Sequence, residues 1–276
     1  MKRFILILIF PAFFYFTGNA QNACLGKQSA HIRLVGDSWL HFPGLYHAYD
    51  SAFAKYGFAD YFTVSDGSVL IGMTAETWWQ HPLARYALEA ALNTDANRPI
   101  DIVMVSLGGN DVGFPFDAHD SVTVLDNELL SFQPLMDSVL DYIHQIYPKA
   151  QIIWQGYDHP NFSDPCIDYP WDPYCDTWDD NSNFTPFQVN RFLHYFTHYQ
   201  DSVVVAYNKP YMHSFNPNGW MQWCYGQTTP LRYPPYGTYP PHSVSLPGGN
   251  INYPSPHIAM GLLGVDAYHL SPQGYT

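Results

Sequence analysis

Basic residues are what this chain has least of among its charged groups. Only 11 of its 276 residues are Lys or Arg, against 24 Asp or Glu, for a net charge of −13. They form no cluster, and nucleic acid or an anionic membrane surface calls for a patch of positive potential. Neither class of partner is expected. Long apolar runs are also lacking. The run Phe4 to Phe16 is interrupted by Pro11 and is shorter than the ~20 residues of a membrane-crossing helix, so no stable membrane span is expected. It lies between Lys2-Arg3 and the small-residue stretch Thr17-Gly18-Asn19-Ala20. A charged head, an apolar middle and a small-x-small end read as a secretory signal peptide, here residues 1–20, with cleavage after Ala20 or Ala23. The chain is therefore expected to be secreted or periplasmic, and losing Lys2 and Arg3 takes its net charge from −13 to −15. Gln21-Asn22-Ala23 lacks an apolar residue three places before Cys24, so lipid anchoring at Cys24 is not expected.

Cysteine is sparse too, at four residues. In an exported chain these are candidates for oxidation. Cys166 and Cys175 are close enough to staple one loop, worth about 2 to 3 kcal/mol in the chain-entropy model. Cys24 and Cys224 would form the remaining pair, although four cysteines allow three pairings. Asn161-Phe-Ser and Asn183-Phe-Thr match the glycosylation pattern and are read as chance matches.

No internal repeat or second domain is evident, and residues 24–276 suffice for one domain with a substantial core. Ile32, Leu34 and Val35 mark a buried strand, and Tyr61-Phe-Thr-Val a second. Ile100 to Leu107 marks a third and Gln151 to Tyr157 a fourth, with Val203 to Tyr207 as a last strand. Helices are expected over Gly44–Tyr56, with Pro43 at its start, and over Thr74–Leu92, broken or kinked at Pro82. Two more are expected over Ser131–Tyr147 and Phe184–Gln200. Strands alternating with helices give an α/β fold with a parallel sheet covered on both faces. Two irregular stretches, about 158–183 and 208–264, read as loop-rich insertions. Their aromatic load argues against disorder.

The chemistry is concentrated at the carboxyl ends of those strands, where open α/β sheets bind ligands. Ser38 follows Gly36-Asp37 in a strand-to-helix turn, so its hydroxyl is open to substrate and its N–H lies near a helix start. Gly-Asp-Ser alone is a common turn. Near the other end, Asp266-Ala-Tyr-His269 precedes Pro272 and Gly274. A turn at that spacing holds the carboxylate against one imidazole nitrogen and leaves the other for a serine, the base and orienter of a triad. Acyl transfer also needs oxyanion donors. Gly72, with Gly67 as a rival, offers an N–H unshielded by a Cβ. Asn110 offers a side-chain amide after the third strand, where a helix cap is the plainer reading.

Gly36-Asp37-Ser38, Gly72, Gly108-Gly109-Asn110-Asp111 and Asp266-Ala-Tyr-His269 together resemble, in order, the four sequence blocks of the SGNH hydrolases, the GDSL esterase/lipase family. The resemblance covers residues 30–111 and 264–276. It implies a flavodoxin-like three-layer α/β/α sandwich, a metal-free and cofactor-free mechanism, Ser38 as nucleophile, His269 as general base and Asp266 as its orienter. It also implies an oxyanion hole from Ser38, Gly72 and Asn110. Three departures stand out: Trp39 replaces the usual Leu, the stretch between Asp111 and Asp266 is long, and the sequence stops at Thr276 where such proteins begin a final helix.

A carboxylic ester is the expected substrate, as a small molecule or a polysaccharide. Export and aromatic loops favour an acetylated carbohydrate, with Trp39, Trp171, Trp178, Trp220 and Trp223 as candidate substrate contacts. Tyr236 could join such a platform, and the same aromatics could instead be the core of the irregular loops. A lipase- or thioesterase-type hydrolase, an O-acyltransferase using the same triad and a non-catalytic carbohydrate-binding protein are the alternatives. His194 and His198 have a metal-like i, i+4 spacing without an acidic third ligand, and are expected to pack or lie at the surface. Asp172, Asp176, Asp179 and Asp180 lack the alternation of a calcium loop and are expected to be solvated.

Overall fold

The computed structural model describes residues 30–59, 61–64, 67–94, 99–113, 120–162, 166, 175, 184–232, 234–256, 269–270 and 272–275. Five parallel strands form one sheet in the order β2-β1-β3-β4-β5. They are β1 (Ala30–Gly36), β2 (Tyr61–Val64), β3 (Ile100–Ser106), β4 (Gln151–Gln155) and β5 (Met212–Phe215). This is the flavodoxin-like order, whose chain reversal beside β1 opens a crevice at the strand carboxyl ends. The helices are α1 (Ser38–Leu45), α2 (Ala48–Lys55), α3 (Ala75–Gln80), α4 (Pro82–Thr94), α5 (Val122–Ile146), α6 (Pro186–Tyr207), α7 (Trp220–Tyr225) and α8 (Pro272–Tyr275).

Alternation along the central strands sends residues to two faces. Val35, Val103 and Val105 join a large core with Trp78, Leu88 and Leu92 of α3 and α4, Leu129, Phe132 and Leu140 of α5, and Phe192 and Phe196 of α6. Ile32 and Leu34 point the other way, to a smaller cluster with Leu40 of α1, Val69, and the half-buried Tyr49 and Phe53 of α2. The two clusters lie between the sheet and the helices on either face, which form the outer layers of an α/β/α sandwich. Among the described residues no helix is long and apolar enough to cross a membrane.

Several local expectations need correction. The first helix begins at Ser38, not near Pro43, because the Asp37 carboxylate accepts from the Trp39 N–H and caps it at once. Pro43 then falls inside an eight-residue helix. Helix α5 begins nine residues before Ser131; Val122, Val124 and Leu130 in its first turns are exposed, which blurs the apolar period there. Val203 to Tyr207 is the end of α6, not a strand. Val203 is buried while Val205 is 77% exposed, and Asn208 closes the helix in the left-handed conformation, its N–H donating to Val204 O and Val205 O. Among the described residues the last strand of the sheet is β5, inside the stretch read as loop. The break at Pro82 separates α3 from α4 as expected.

Cys166 and Cys175 form a disulfide, and Cys224 is free. Cys24, its other candidate partner, and the signal segment lie outside the described residues. Asn161 is fully buried and donates to Ser255 O at 2.9 Å, leaving no room for a glycan.

The junction of β1 and α1 depends on Gly36. Its φ is +147°, and a Cβ there would lie 2.1 Å from Ser106 O. The close approach lets the Asp37 N–H donate to that same carbonyl at 3.0 Å. Gly36→Ala is therefore expected to lower the unfolding free energy by about 2 kcal/mol or more, through backbone strain and overpacking. Urea denaturation measures this, and a loss under about 0.5 kcal/mol, the range of a neutral surface change, would contradict the placement.

Candidate active site

Ser38 opens α1 at the carboxyl end of β1 and is buried. Being first in the helix, its N–H is one of the donors that helical bonding leaves over. His269, 231 residues away in sequence, places Nε2 at 2.7 Å from Ser38 Oγ. The imidazole is buried and stands edge-to-face with Phe42 of α1, ring centroids 4.8 Å apart, which restricts its rotation. Asp266, the expected orienter, lies outside the described residues, as do Trp171 and Trp178.

Beside the serine, Asp37 is buried under α1 and accepts from three groups. Trp39 N and Ser106 Oγ reach Oδ1, each at 3.0 Å, and Tyr157 OH reaches Oδ2 at 2.6 Å. Burial pushes its pKa up to about 6, while these donors and the nearby His269 hold it down. Tyr157 has its own pKa raised far above the phenol range by burial and the Asp37 charge, so it keeps its proton as the donor.

The candidate oxyanion donors sit in two segments stitched together. Residues 67–72 are tied to the end of β1: Gly36 N donates to Ser68 O (2.8 Å), Leu70 N to Gly36 O (3.0 Å) and Ser68 Oγ to Leu34 O (2.7 Å). Gly72 ends that loop with φ +75° and open space where a Cβ would be. Asn110 lies in a π-helical turn, Gly109–Gly113, after β3, a local geometry common at functional sites. Its amide donates to Met73 O at 2.9 Å, a bond that uses one of the two amide N–H groups. Asp111 caps α3, accepting from Ala75 N at 2.9 Å and Glu76 N at 3.2 Å. Burial pushes its pKa up to about 6 against the pull of those N–H groups.

The remaining candidates fall elsewhere. Trp39 is buried and packs edge-to-face on Tyr157 and Tyr275, so its ring belongs to the core beneath the site. Trp220 and Trp223 group with Phe215 and His242, neighbouring ring centroids 4.1 to 6.3 Å apart, and Trp220 is 38% exposed. Gly67 and Tyr236 are exposed. His194 does not pair with His198 as a ligand set; its Nε2 lies 3.0 Å from Nε2 of the buried His159, whose pKa burial pushes down to about 3. Among the described residues no group of three His, Cys, Asp or Glu side chains could hold a metal ion.

Sequence reasoning did not single out Ser106 or Tyr157, and it missed the capping role of Asp111. Their signal was position: a hydroxyl or carboxylate within two or so residues of the carboxyl end of a buried strand, or in the turn that follows it.

No family model and no curated protein sequence matches the chain. Among solved structures it is similar to an extracellular lipase from Streptomyces rimosus, at 14% identity over 90% of this chain and 95% of that one, TM-score 0.47. It is also similar to the periplasmic domain of a lipopolysaccharide acetyltransferase from Salmonella ser. Paratyphi A, at 13% identity over 94% and 84% of the two chains, TM-score 0.49. An acetylxylan esterase from Geobacillus stearothermophilus is similar at 16% identity over 61% and 74%, TM-score 0.33. At such identities the likeness is one of chain path.

The Asp37 titration gives a stability prediction. Its pKa is raised in the folded state, from 3.8 to about 6, so its contribution to stability is fully present below the unfolded value and is lost as pH rises through about 6. The stability of the wild type relative to Asp37→Asn should therefore fall by about 2.4 kcal/mol between pH 4 and 8, at 1.36 kcal/mol per pKa unit and with a little of the effect already lost at pH 4. Urea unfolding of both proteins across that range measures it; a constant difference would contradict the burial of an ionising carboxylate.

Proposed function

We propose that this chain is an exported serine ester hydrolase of the SGNH type, working as one domain through an acyl-enzyme. The observation that carries the reading is the 2.7 Å contact between Ser38 Oγ and His269 Nε2, made by two segments that only the fold joins. Both residues stand in motifs of the expected type and order. His269 takes the proton as Ser38 Oγ attacks the ester carbonyl, then passes it to the departing alcohol. Water activated by the same imidazole releases the acid and restores the serine. The role of orienter at the other ring nitrogen is assigned to Asp266 from its place in the Asp266-Ala-Tyr-His269 motif. The Ser38 N–H, the Gly72 N–H and the second N–H of the Asn110 amide receive the oxyanion, a term in which each donor is worth roughly 2.7 to 4 kcal/mol of barrier.

An acylated carbohydrate is the substrate class this reading favours. Its support is the aromatic group on β5 and α7, formed by the exposed Phe215 and Trp220 with the half-buried Trp223 beside them, whose flat apolar rings match the C–H faces of a pyranose. The signal-like segment of residues 1–20 favours an extracellular or periplasmic site of action.

A fluorophosphonate probe is expected to label the wild type once per chain and to leave Ser38→Ala unlabelled. His269→Ala should keep its fold, by circular dichroism, while hydrolysis of a small acetyl ester falls by about 10³-fold or more. Unlabelled wild type, or undiminished turnover by His269→Ala, would overturn the proposal. A panel of esters varying in acyl chain and alcohol tests the substrate class: acetylated oligosaccharides should exceed long-chain acyl esters in kcat/KM, and the reverse order would exclude a carbohydrate ester.

A further inference from the structure

The Tyr157 phenol joins the two halves of the proposed catalytic machinery. Its O–H donates to Asp37 Oδ2 at 2.6 Å and its oxygen accepts from Gly109 N at 2.9 Å. Asp37 immediately precedes the nucleophile; Gly109 immediately precedes the oxyanion donor Asn110. One buried oxygen atom is thus bonded to the segment carrying Ser38, after β1, and to the segment carrying Asn110, after β3. Tyr157 itself follows β4 by two residues.

Two further observations show a built contact. A Cβ on Gly109 would lie 2.6 Å from Cζ of Tyr157 and 2.9 Å from its hydroxyl, so this glycine lets the turn backbone sit flush on the phenol. The ring is also fixed on both sides, edge-to-face with Trp39 (centroids 5.5 Å apart) and tilted against Phe196 of α6 (5.9 Å). An unanchored tyrosine would not need a phenylalanine ring behind it and a bare glycine in front.

We infer that Tyr157 is a positioning residue for ester hydrolysis, holding Ser38 and the Asn110 amide in register through one hydroxyl shared by Asp37 and the Gly109 N–H. This rests on the serine hydrolase reading and extends it to a residue outside the four motifs. The phenol touches no reacting atom. It acts on two groups that do, and its loss lets the oxyanion donor drift from the place where charge develops. Ground-state binding of the ester does not use that register, so the effect falls on kcat.

The same bond bears on the charge beside the site. Asp37 is faced by Ser106 from β3, by Tyr157 from beyond β4, by the Trp39 N–H of α1 and, across the site, by His269. Each donor favours the carboxylate, whose negative charge supports the imidazolium formed during attack. Withdrawing the phenol O–H leaves Asp37 taking up its proton at a higher pH.

The test compares Tyr157→Phe, which keeps the ring, with Ser106→Ala, which removes a donor from Asp37 and a contact to the phenol but leaves the phenol's own bonds to Asp37 and to the Gly109 N–H in place. Rates on a small aryl acetate are normalised to sites titrated with a fluorophosphonate, so that a mere loss of folded protein cancels. Tyr157→Phe is expected to lower kcat by about 10- to 100-fold, part of what losing a whole oxyanion donor costs, with KM kept within about twofold. The acid limb of its pH–rate profile should move to higher pH. Ser106→Ala should move the acid limb in the same direction with a much smaller loss of kcat at pH 8. Equal losses of kcat in the two variants would overturn the bridging role, as would a Tyr157→Phe enzyme with wild-type kcat or one impaired only in KM. Failure of the underlying reading is separately visible, as wild-type protein that neither turns over the ester nor takes the phosphonate, and it would take this inference with it.

Discussion

The arrangement depends on one buried carboxylate. Asp37 caps α1 through the Trp39 N–H, accepts the Ser106 hydroxyl from β3 and accepts the Tyr157 phenol from beyond β4. Three adjacent strands are tied at their carboxyl ends by a single side chain, next to the serine that the site presents. An ionised group without water is costly to keep, and its pKa of about 6 against an ordinary 3.8 records that cost. The cost is met by supplying a donor from each neighbouring element. A neutral residue there would remove the desolvation penalty and, with it, the convergence of hydrogen bonds on one point.

A second buried carboxylate does similar work further along the rim. Asp158, next to Tyr157, accepts from Gly219 N at 2.6 Å, Met221 N at 2.8 Å and its neighbour His159 N at 2.7 Å. It fixes the start of α7 against the end of β4, while Asn218 Nδ2 donates to Tyr157 O at 2.6 Å. Gln222 continues the network to Tyr253 O and Asn250 N. The long irregular segment after β5 is therefore held by polar contacts to the same strand end that carries Tyr157, and the exposed Trp220 stands on its short helix. Rigid anchoring of this kind gives an aromatic surface a fixed relation to the strand end that carries Tyr157.

How much of this could be read from the chain follows from how local each cause is. Strands β1 and β3 were plain because Leu34, Val35, Val103 and Val105 are buried in consecutive apolar runs. Strand β5 was not, because Met212-His-Ser-Phe is a short edge strand with exposed positions, and the neighbouring Val203-Val-Val competed for the assignment. There the β-branched composition lost to the continuation of α6, whose face buries Val203 and leaves Val205 in water. The meeting of Ser38 with His269 was legible because each lies in a motif that anticipates the other. The bond between Tyr157 and Asp37 was not, since it spans 120 residues and nothing in the sequence around a tyrosine marks its hydroxyl as shared between two turns.

The most direct test of the claim that one carboxylate–phenol contact keeps nucleophile and oxyanion donor in register is a double-mutant cycle on kcat, combining Tyr157→Phe with Asn110→Ala. If the phenol works through the placement of the Asn110 amide, its removal costs little once that amide is gone. The two losses should then be subadditive, with a coupling of at least about 1 kcal/mol, in the range for residues sharing one network. Losses that simply add would mean that Tyr157 and Asn110 act independently, and would contradict the account.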